Sequence, residues 1–355
     1  MGVSDAHGFA ALPLAVLAAA ALSWTGPRVA LWGQSWRAHT QMASATLPTC
    51  AAAQAAGRAW AAELRGDGGA GGAAGIDARA GYWRARVQGG RYWDFLPPPG
   101  ESGAVRTYGN ATANGWDGTK RLFDIERLAA ARPREASAAG AAAACVIYSF
   151  GSNLQTEFEE AMLRATSCDL VTFDCTVRTD AIAAKLAAAA SAFAAEGAGA
   201  GSVPSAAAVA AAAARMRFFP YCVGKEGRRV AMRIGGAGPP VETTLRSVGS
   251  IMAELRHTHV DLLKMDAEGA EHSALVAMAQ EAMAARPGAA ALLPQQLSLE
   301  LHDGADGLAD SLRARFNVVA ALVDVGYVLV SRDDNVVYPS CCTELTFILG
   351  CRNVG

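Results

Sequence analysis

No CxxC pair occurs among the eight cysteines of this 355-residue chain, at positions 50, 145, 168, 175, 222, 341, 342 and 351. That removes the ligand spacing of a structural zinc domain, and adjacent Cys341 and Cys342 are poorly placed to share one ion. Eight cysteines are also too few to staple so long a chain, so a hydrophobic core must hold it, with some disulfides if the protein is secreted. Excess charge of one sign is missing too. Lys and Arg number 31 against 33 Asp and Glu, a formal net charge of −2, so there is no global field to draw nucleic acid or an anionic membrane. Aromatic residues make up only 7%. Glycine and long alanine tracts inflate the 52% hydrophobic fraction without adding bulk, so the core must come from the Val, Leu, Ile, Met and Phe clusters.

The organisation follows from composition. Residues 1–30 contain an apolar run, Gly8 to Trp24, interrupted by Pro13. It is of a length that suits a signal peptide or a membrane anchor, so entry to the secretory pathway is expected, with this segment as the membrane tether if it is kept. The alternative is an organellar transit peptide, because the first sixty residues hold one acid, Asp5, against Arg28, Arg37 and Arg58. Residues 31–80 read as an Ala/Gly-rich linker that includes GDGGAGGAAG, Gly66 to Gly75. Residues 81–140 form an extension with Trp83, Trp93 and Trp116 and a glycosylation sequon at Asn110. Residues 141–350 form the main domain, with an alanine-rich insertion over 179–214.

Within that domain short β-branched runs alternate with helical patterns. Strands are expected at 145–151, 169–175, 216–223, 260–266 and 295–302, and in the runs YVLVS and TELTFIL. Helices are expected over 154–165, 244–256, 271–285 and 308–325. The pattern predicts an α/β, Rossmann-like, doubly wound, mostly parallel seven-stranded sheet with an antiparallel hairpin at its C-terminal edge, preceded by an N-terminal extension. In such sheets the ligand lies beyond the carboxyl ends of the strands, at the switch point. The residues there are Phe150, Gly151, Ser152 and Asn153 after the first strand, Asp174 after the second, Asp266 and Glu268 after the fourth, and Glu300 and His302 at the end of the fifth.

Gly151 is read as the position where backbone passes close to an adenosine group, and Asp174 as an acid able to accept both hydrogens of a ribose diol. A dinucleotide pyrophosphate would want a glycine-rich loop, but this one has a single glycine and neither Arg nor Lys. S-adenosylmethionine carries no phosphate, and its positive charges suit the many acids. A nicotinamide-dependent oxidoreductase is the disfavoured alternative.

Five blocks in order, CVIYSFGSNLQTEFEEAM, CDLVTFDCT, VDLLKMDAEGAEHSAL, QLSLELH and CCTELTFI, resemble the FkbM-type, methyltransferase-like proteins with a class I S-adenosylmethionine-dependent fold. KMDAEGAE is the most specific block. Upstream, NGWDGTKRLFDIERL resembles the segment before the first strand in secretory members, although Phe123 stands near where those carry a Cys, which implies that one of their disulfides is lost. The resemblance implies a methyltransferase with Phe150 to Asn153 as the cofactor loop, Asp174 as the ribose acid, and Lys264, Asp266 and Glu268 near the methyl group.

Methyl transfer to a hydroxyl needs in-line positioning and a group to take the proton; the candidates are Asp266, Glu268 and His302. For Glu268 the alternative is a first-turn acid of the following helix, and for Lys264 it is simple ion pairing with Asp266. Asp266, Glu300 and His302 could also gather a hard divalent cation, a minor option beside no metal at all. The expected acceptor is a sugar or other small hydroxyl compound, and nucleic acid is not expected. The competing function is a noncatalytic protein of the same fold, serving as a luminal or membrane-tethered interaction module.

Overall fold

The computed structural model describes residues 50–65, 105–109, 119–130, 145–198, 203–233, 239–285, 293–302, 308–334 and 342–350. The apolar run at Gly8 to Trp24, the Gly66 to Gly75 linker, Trp83, Trp93, Trp116, Asn110 and Cys341 lie outside these residues.

Helix α1 spans Cys50–Arg65, and strands β1 (Val105–Tyr108) and β2 (Lys120–Phe123) form a separate antiparallel ribbon followed by the short helix α2 (Ile125–Ala130). The main sheet then begins with β3 (Val146–Phe150), α3 (Glu157–Ala165) and β4 (Asp169–Phe173). The alanine-rich stretch becomes α4 (Thr179–Ala198) and α5 (Ala206–Ala214), the crossover to β5 (Met216–Phe219). A second antiparallel ribbon, β6 (Arg229–Met232) and β7 (Val241–Thr244), precedes α6 (Val248–Leu255). The chain continues through β8 (Leu262–Met265), α7 (Glu271–Ala284), β9 (Gln296–His302), α8 (Leu308–Asp324), β10 (Tyr327–Asp334) and β11 (Cys342–Leu349).

The seven-stranded sheet has the order β10-β11-β9-β8-β3-β4-β5. Five neighbouring strands, β9 to β5, are parallel, and β11 is inserted antiparallel between β9 and β10. The expected fold class holds, including the C-terminal hairpin. Several boundaries differ, each for a local reason. Strand β5 stops at Phe219 because Pro220 brings no N–H to the ladder. Asn153 and Leu154 are left-handed, with φ of 44° and 63°, so the helix expected from 154 starts at Glu157. The helix expected from 244 starts at Val248, where the Ser247 side chain accepts from Ser250 N, and Thr244 is the last residue of β7.

Alternation along the strands divides the core. Val146, Tyr148 and Phe150 join one apolar cluster with α6, α7 and α8, while Ile147 joins another with α3 and α4. Helix α4 is long and apolar enough to cross a membrane by composition, but Ile182, Leu186, Ala189, Ala190 and Ala194 are buried as it crosses the sheet.

Strand β9 behaves differently. Its Leu297, Leu299 and Leu301 enter the first cluster, whereas Gln296, Ser298, Glu300 and His302 form a buried polar face. The ribbon strand β2 covers this face. The Gln296 side-chain amide accepts from Phe123 N at 2.7 Å and donates to Phe123 O at 2.8 Å, standing in for a strand partner, and Thr346 Oγ1 donates to Arg121 O at 2.7 Å. Gln296→Leu would leave the Phe123 N–H and carbonyl unpaired; it should lower unfolding free energy by about 1–3 kcal/mol in denaturant titration and speed proteolytic cleavage of the ribbon.

Candidate active site

From β3 the chain runs outward to β4 and β5, then returns to β8 on the other side of β3, so the switch point lies between β3 and β8. A cavity of about 710 Å³ opens there, a size that suits a cofactor or small ligand. Phe150, Gly151, Ser152, Asn153, Asp174, Lys264, Asp266, Glu268 and His302 all line it. The structure thus brings together every cofactor-loop, ribose and acid–base candidate.

One end is aromatic. Phe150 stacks on Phe173 with centroids 4.5 Å apart, and Phe173 lies 6.2 Å from Tyr221. The Cys175–Cys222 disulfide ties the segments after β4 and β5 beside this wall, and Cys145–Cys168 joins the starts of β3 and β4.

Gly151 is required here, for a reason different from the one expected. Its φ is +74°, and a Cβ would lie 1.6 Å from the Asp266 carbonyl oxygen. The close approach is between the loops after β3 and β8, which also share the bond from Asp266 N to Phe150 O at 3.1 Å; an adenosine group is not needed to explain the glycine. Asp174 is likewise engaged by its own chain. Oδ2 accepts from Ser152 N at 3.0 Å and Asn153 N at 2.8 Å, while Oδ1 accepts from Thr176 N at 2.8 Å and Thr176 Oγ1 at 2.6 Å. The acid shapes the loop, and a ribose diol would have to replace the hydroxyl contact of Thr176.

The other end is charged and centres on a residue to which the sequence reading gave no role. Lys120 of β2 is 2% exposed and places its ammonium 2.9 Å from Glu300, 3.3 Å from Asp266 and in direct contact with Glu344. Burial alone would depress the Lys120 ammonium, but Glu344, Asp266 and Glu300 hold its pKa well above the ordinary value. Burial would raise Asp266, yet Lys264, Lys120 and His302 keep it well below the usual carboxylate range. Burial pushes Glu344 up to about 8 in spite of Lys120.

Lys120 also bears on the metal option. The position that a cation would take between Asp266 and Glu300 is held by its ammonium. Glu300, His302 and Cys342 bring donor atoms within 4.8 Å of one another, but Glu300 also bonds Cys342 and His302 bonds Glu271. Lys264 does pair with Asp266, at 3.5 Å; it donates more closely to Gly151 O, at 2.5 Å, and so tethers the loop.

His302 Nδ1 lies 2.5 Å from Glu271 Oε1, a carboxylate with no exposure. At neutral pH the raised pKa of His302 makes both ring nitrogens donors, so Nδ1 donates to Glu271. Nε2 then faces Glu268 at 3.6 Å and Asp266 and Glu300 at 3.9 Å each. Burial would lower the imidazole pKa, but the bond to Glu271 and the surrounding acids raise it to about 9. Glu268 stands at the rim with φ of 52°. Burial raises its carboxyl above the ordinary value, with His302 opposing and the neighbouring acids adding to the rise.

Residues 218–318, from β5 into α8, match the family model described as Methyltransferase FkbM domain. This stretch is consistent with an FkbM-type, methyltransferase-like family. The match supports a methyltransferase-like function and includes Asp266, Glu268, Glu271, Glu300 and His302; the loop at 150–153, Asp174, Lys120 and Glu344 lie outside it. No curated protein matches the chain at a significant level. Sequence reasoning missed Lys120, Glu271 and Glu344 as members of the site. The period-two alternation of TELTF placed Glu344 and Thr346 on one face, and Glu271 was visible only as a helix-start acid.

Two outcomes follow from this electrostatics. Lys120→Met leaves the Asp266 and Glu300 carboxylates facing each other beside Glu344 without their cation and should cost about 3–5 kcal/mol at neutral pH; the deficit, read from denaturant unfolding, should shrink as acid protonates the group. His302 has a pKa of about 9 in the fold against an ordinary 6.5, so its contribution to stability is complete below pH 6.5 and is lost as pH rises through 9. Unfolding of the His302→Gln variant should lack that decline.

Proposed function

We propose that this protein is an S-adenosylmethionine-dependent methyltransferase that transfers the methyl group to a hydroxyl of a sugar or other small acceptor. The observation that carries the reading is the cavity at the switch point, with an aromatic wall and an acid-bearing loop at one end and the Asp266–Glu268–His302 group at the other. The loop suits this cofactor better than a dinucleotide: Gly151 is its single glycine, and its Ser152 and Asn153 amides are taken by Asp174, so it lacks the clustered free amides that a pyrophosphate needs. When bound, S-adenosylmethionine supplies an electrophilic methyl group on its sulfonium.

Phe150 to Asn153 and Asp174 would hold that cofactor. Asp266, ionised, orients the acceptor hydroxyl by accepting its hydrogen bond. Glu268, with its carboxyl titrating higher than usual, takes the proton. His302, protonated at neutral pH, places positive charge beside the acceptor oxygen, and Glu271 fixes its ring. Disulfides such as Cys145–Cys168 and Cys175–Cys222 support an oxidising, secretory location, with the N-terminal apolar segment as signal or tether.

Asp174 is the observation that favours a second reading, a noncatalytic interaction module, because both of its oxygens are already bonded within the chain. Calorimetric titration of the full-length protein with S-adenosylhomocysteine separates the two. Micromolar binding, weakened tenfold or more by Asp174→Ala, is expected for the enzyme. Glu268→Gln should then bind the cofactor unchanged and lose about 10²-fold in methyl transfer from labelled S-adenosylmethionine to a panel of sugars. A folded protein that binds nothing at millimolar ligand selects the noncatalytic reading.

A further inference from the structure

Glu159 stands out among the described acids because both of its carboxylate oxygens are buried without a hydrogen-bond partner. It sits in the first turn of α3 on the helix's buried face with Phe158, Met162 and Leu163, is 1% exposed, and forms part of the cavity wall. Neither of its carboxylate oxygens has a hydrogen-bond partner among the described residues. Ser149 of β3 is 2% exposed, and its hydroxyl is also unpartnered; it stands beside the carboxylate without closing a bond of ordinary geometry. Ser149 is the register partner of Lys264 on β8, and the Lys264 charge acts on Glu159 from that side, while its own ammonium is bonded to Gly151 O and Phe150 O.

A buried carboxylate left with open acceptors is costly unless a proton or a donor reaches it. Burial raises the Glu159 pKa, against the opposing effects of Lys264 and Ser149, so without a ligand its carboxyl holds its proton more tightly than an ordinary one. The open acceptors are three: two carboxylate oxygens and one hydroxyl oxygen. The two carboxylate oxygens belong to a residue of the cavity wall, and the Ser149 hydroxyl adjoins them. A primary ammonium has three N–H donors and a positive charge, and so satisfies all three acceptors together with the charge of the acid.

We propose that Glu159, with Ser149, forms a subsite for the α-ammonium of an amino-acid-bearing nucleoside, the methionyl end of the cofactor. This assignment rests on the S-adenosylmethionine reading above and goes beyond it by giving the charged end of the ligand its own carboxylate, delivered by α3 instead of by the loop. Ligand binding then shifts Glu159 from the neutral to the ionised form.

The test uses the full-length protein and two ligands, S-adenosylhomocysteine, which carries the ammonium, and 5′-methylthioadenosine, which shares the thioadenosine but lacks the amino-acid end. Wild type should bind the first at least tenfold more tightly than the second. Glu159→Gln should lose tenfold or more for S-adenosylhomocysteine and leave 5′-methylthioadenosine unchanged, so that the preference collapses. Ser149→Ala should narrow it in the same direction by a smaller factor. Melting temperatures of both variants at or above wild type would show that they fold. An unchanged preference in Glu159→Gln, or equal weakening of both ligands, overturns the subsite while the cofactor reading stands. Wild-type binding of 5′-methylthioadenosine without preference for S-adenosylhomocysteine also overturns the subsite alone, whereas binding of neither ligand removes the cofactor reading and the subsite with it.

Discussion

The ammonium of Lys120, buried among Asp266, Glu300 and Glu344, is the contact on which the arrangement of the site depends. A parallel sheet covered on both faces ordinarily presents apolar strands. Strand β9 instead buries Gln296, Ser298, Glu300 and His302 on one face, which is tolerable only if each polar group is met. The β2 ribbon meets them: Lys120 neutralises the acids and Phe123 occupies the Gln296 amide. With that charge in place Asp266 remains ionised in a half-enclosed position, and His302 can be held between Glu271 and the acids at the rim. The N-terminal ribbon is therefore part of the charged end of the cavity even though it belongs to neither the main sheet nor its crossovers.

The two ends of the cavity are built by different means. At the aromatic end, backbone does most of the positioning: Gly151 lets the loop after β3 touch the loop after β8, and Asp174 ties the amides of Ser152 and Asn153 to the end of β4. At the charged end the positioning comes from side chains whose charges balance only as a group. Removing a member of the first set changes the shape of the loop, and removing a member of the second changes the protonation of several neighbours.

The sheet was legible because strand and helix periods are local properties, as in CVIYSFG and VDLLKMD, and because strand ends in this fold class point to one site. The candidate site residues lie together for that reason. Local pattern failed at the β6–β7 ribbon, where strands of partly exposed residues carry little apolar signal, and at Asn153 and Leu154, whose left-handed backbone delays α3. It could not supply Lys120, since the acids that bury this lysine are 146 to 224 positions away, a separation at which neither spacing nor propensity carries information. Glu159 shows the same limit from the other side. FEEAM reads as an ordinary amphipathic start, and only the packed structure reveals that one of its acids has nowhere to send its charge.

The order in which the chain is made gives the Lys120 contact another consequence. Cys145–Cys168 and Cys175–Cys222 are sequential and never interleaved, so each can close as its own strand–helix–strand unit emerges during synthesis. Lys120 is made before all of them, yet Glu344 is carried by the final strand of the sheet. The ribbon meets Asp266 and Glu300 as β8 and β9 follow it, and its third acid only when nearly the whole domain has been made. A chain interrupted before β11 would hold Cys145–Cys168, Cys175–Cys222 and the loop after β3 but leave Lys120 without Glu344, so the charged end of the cavity is complete only with the last strand.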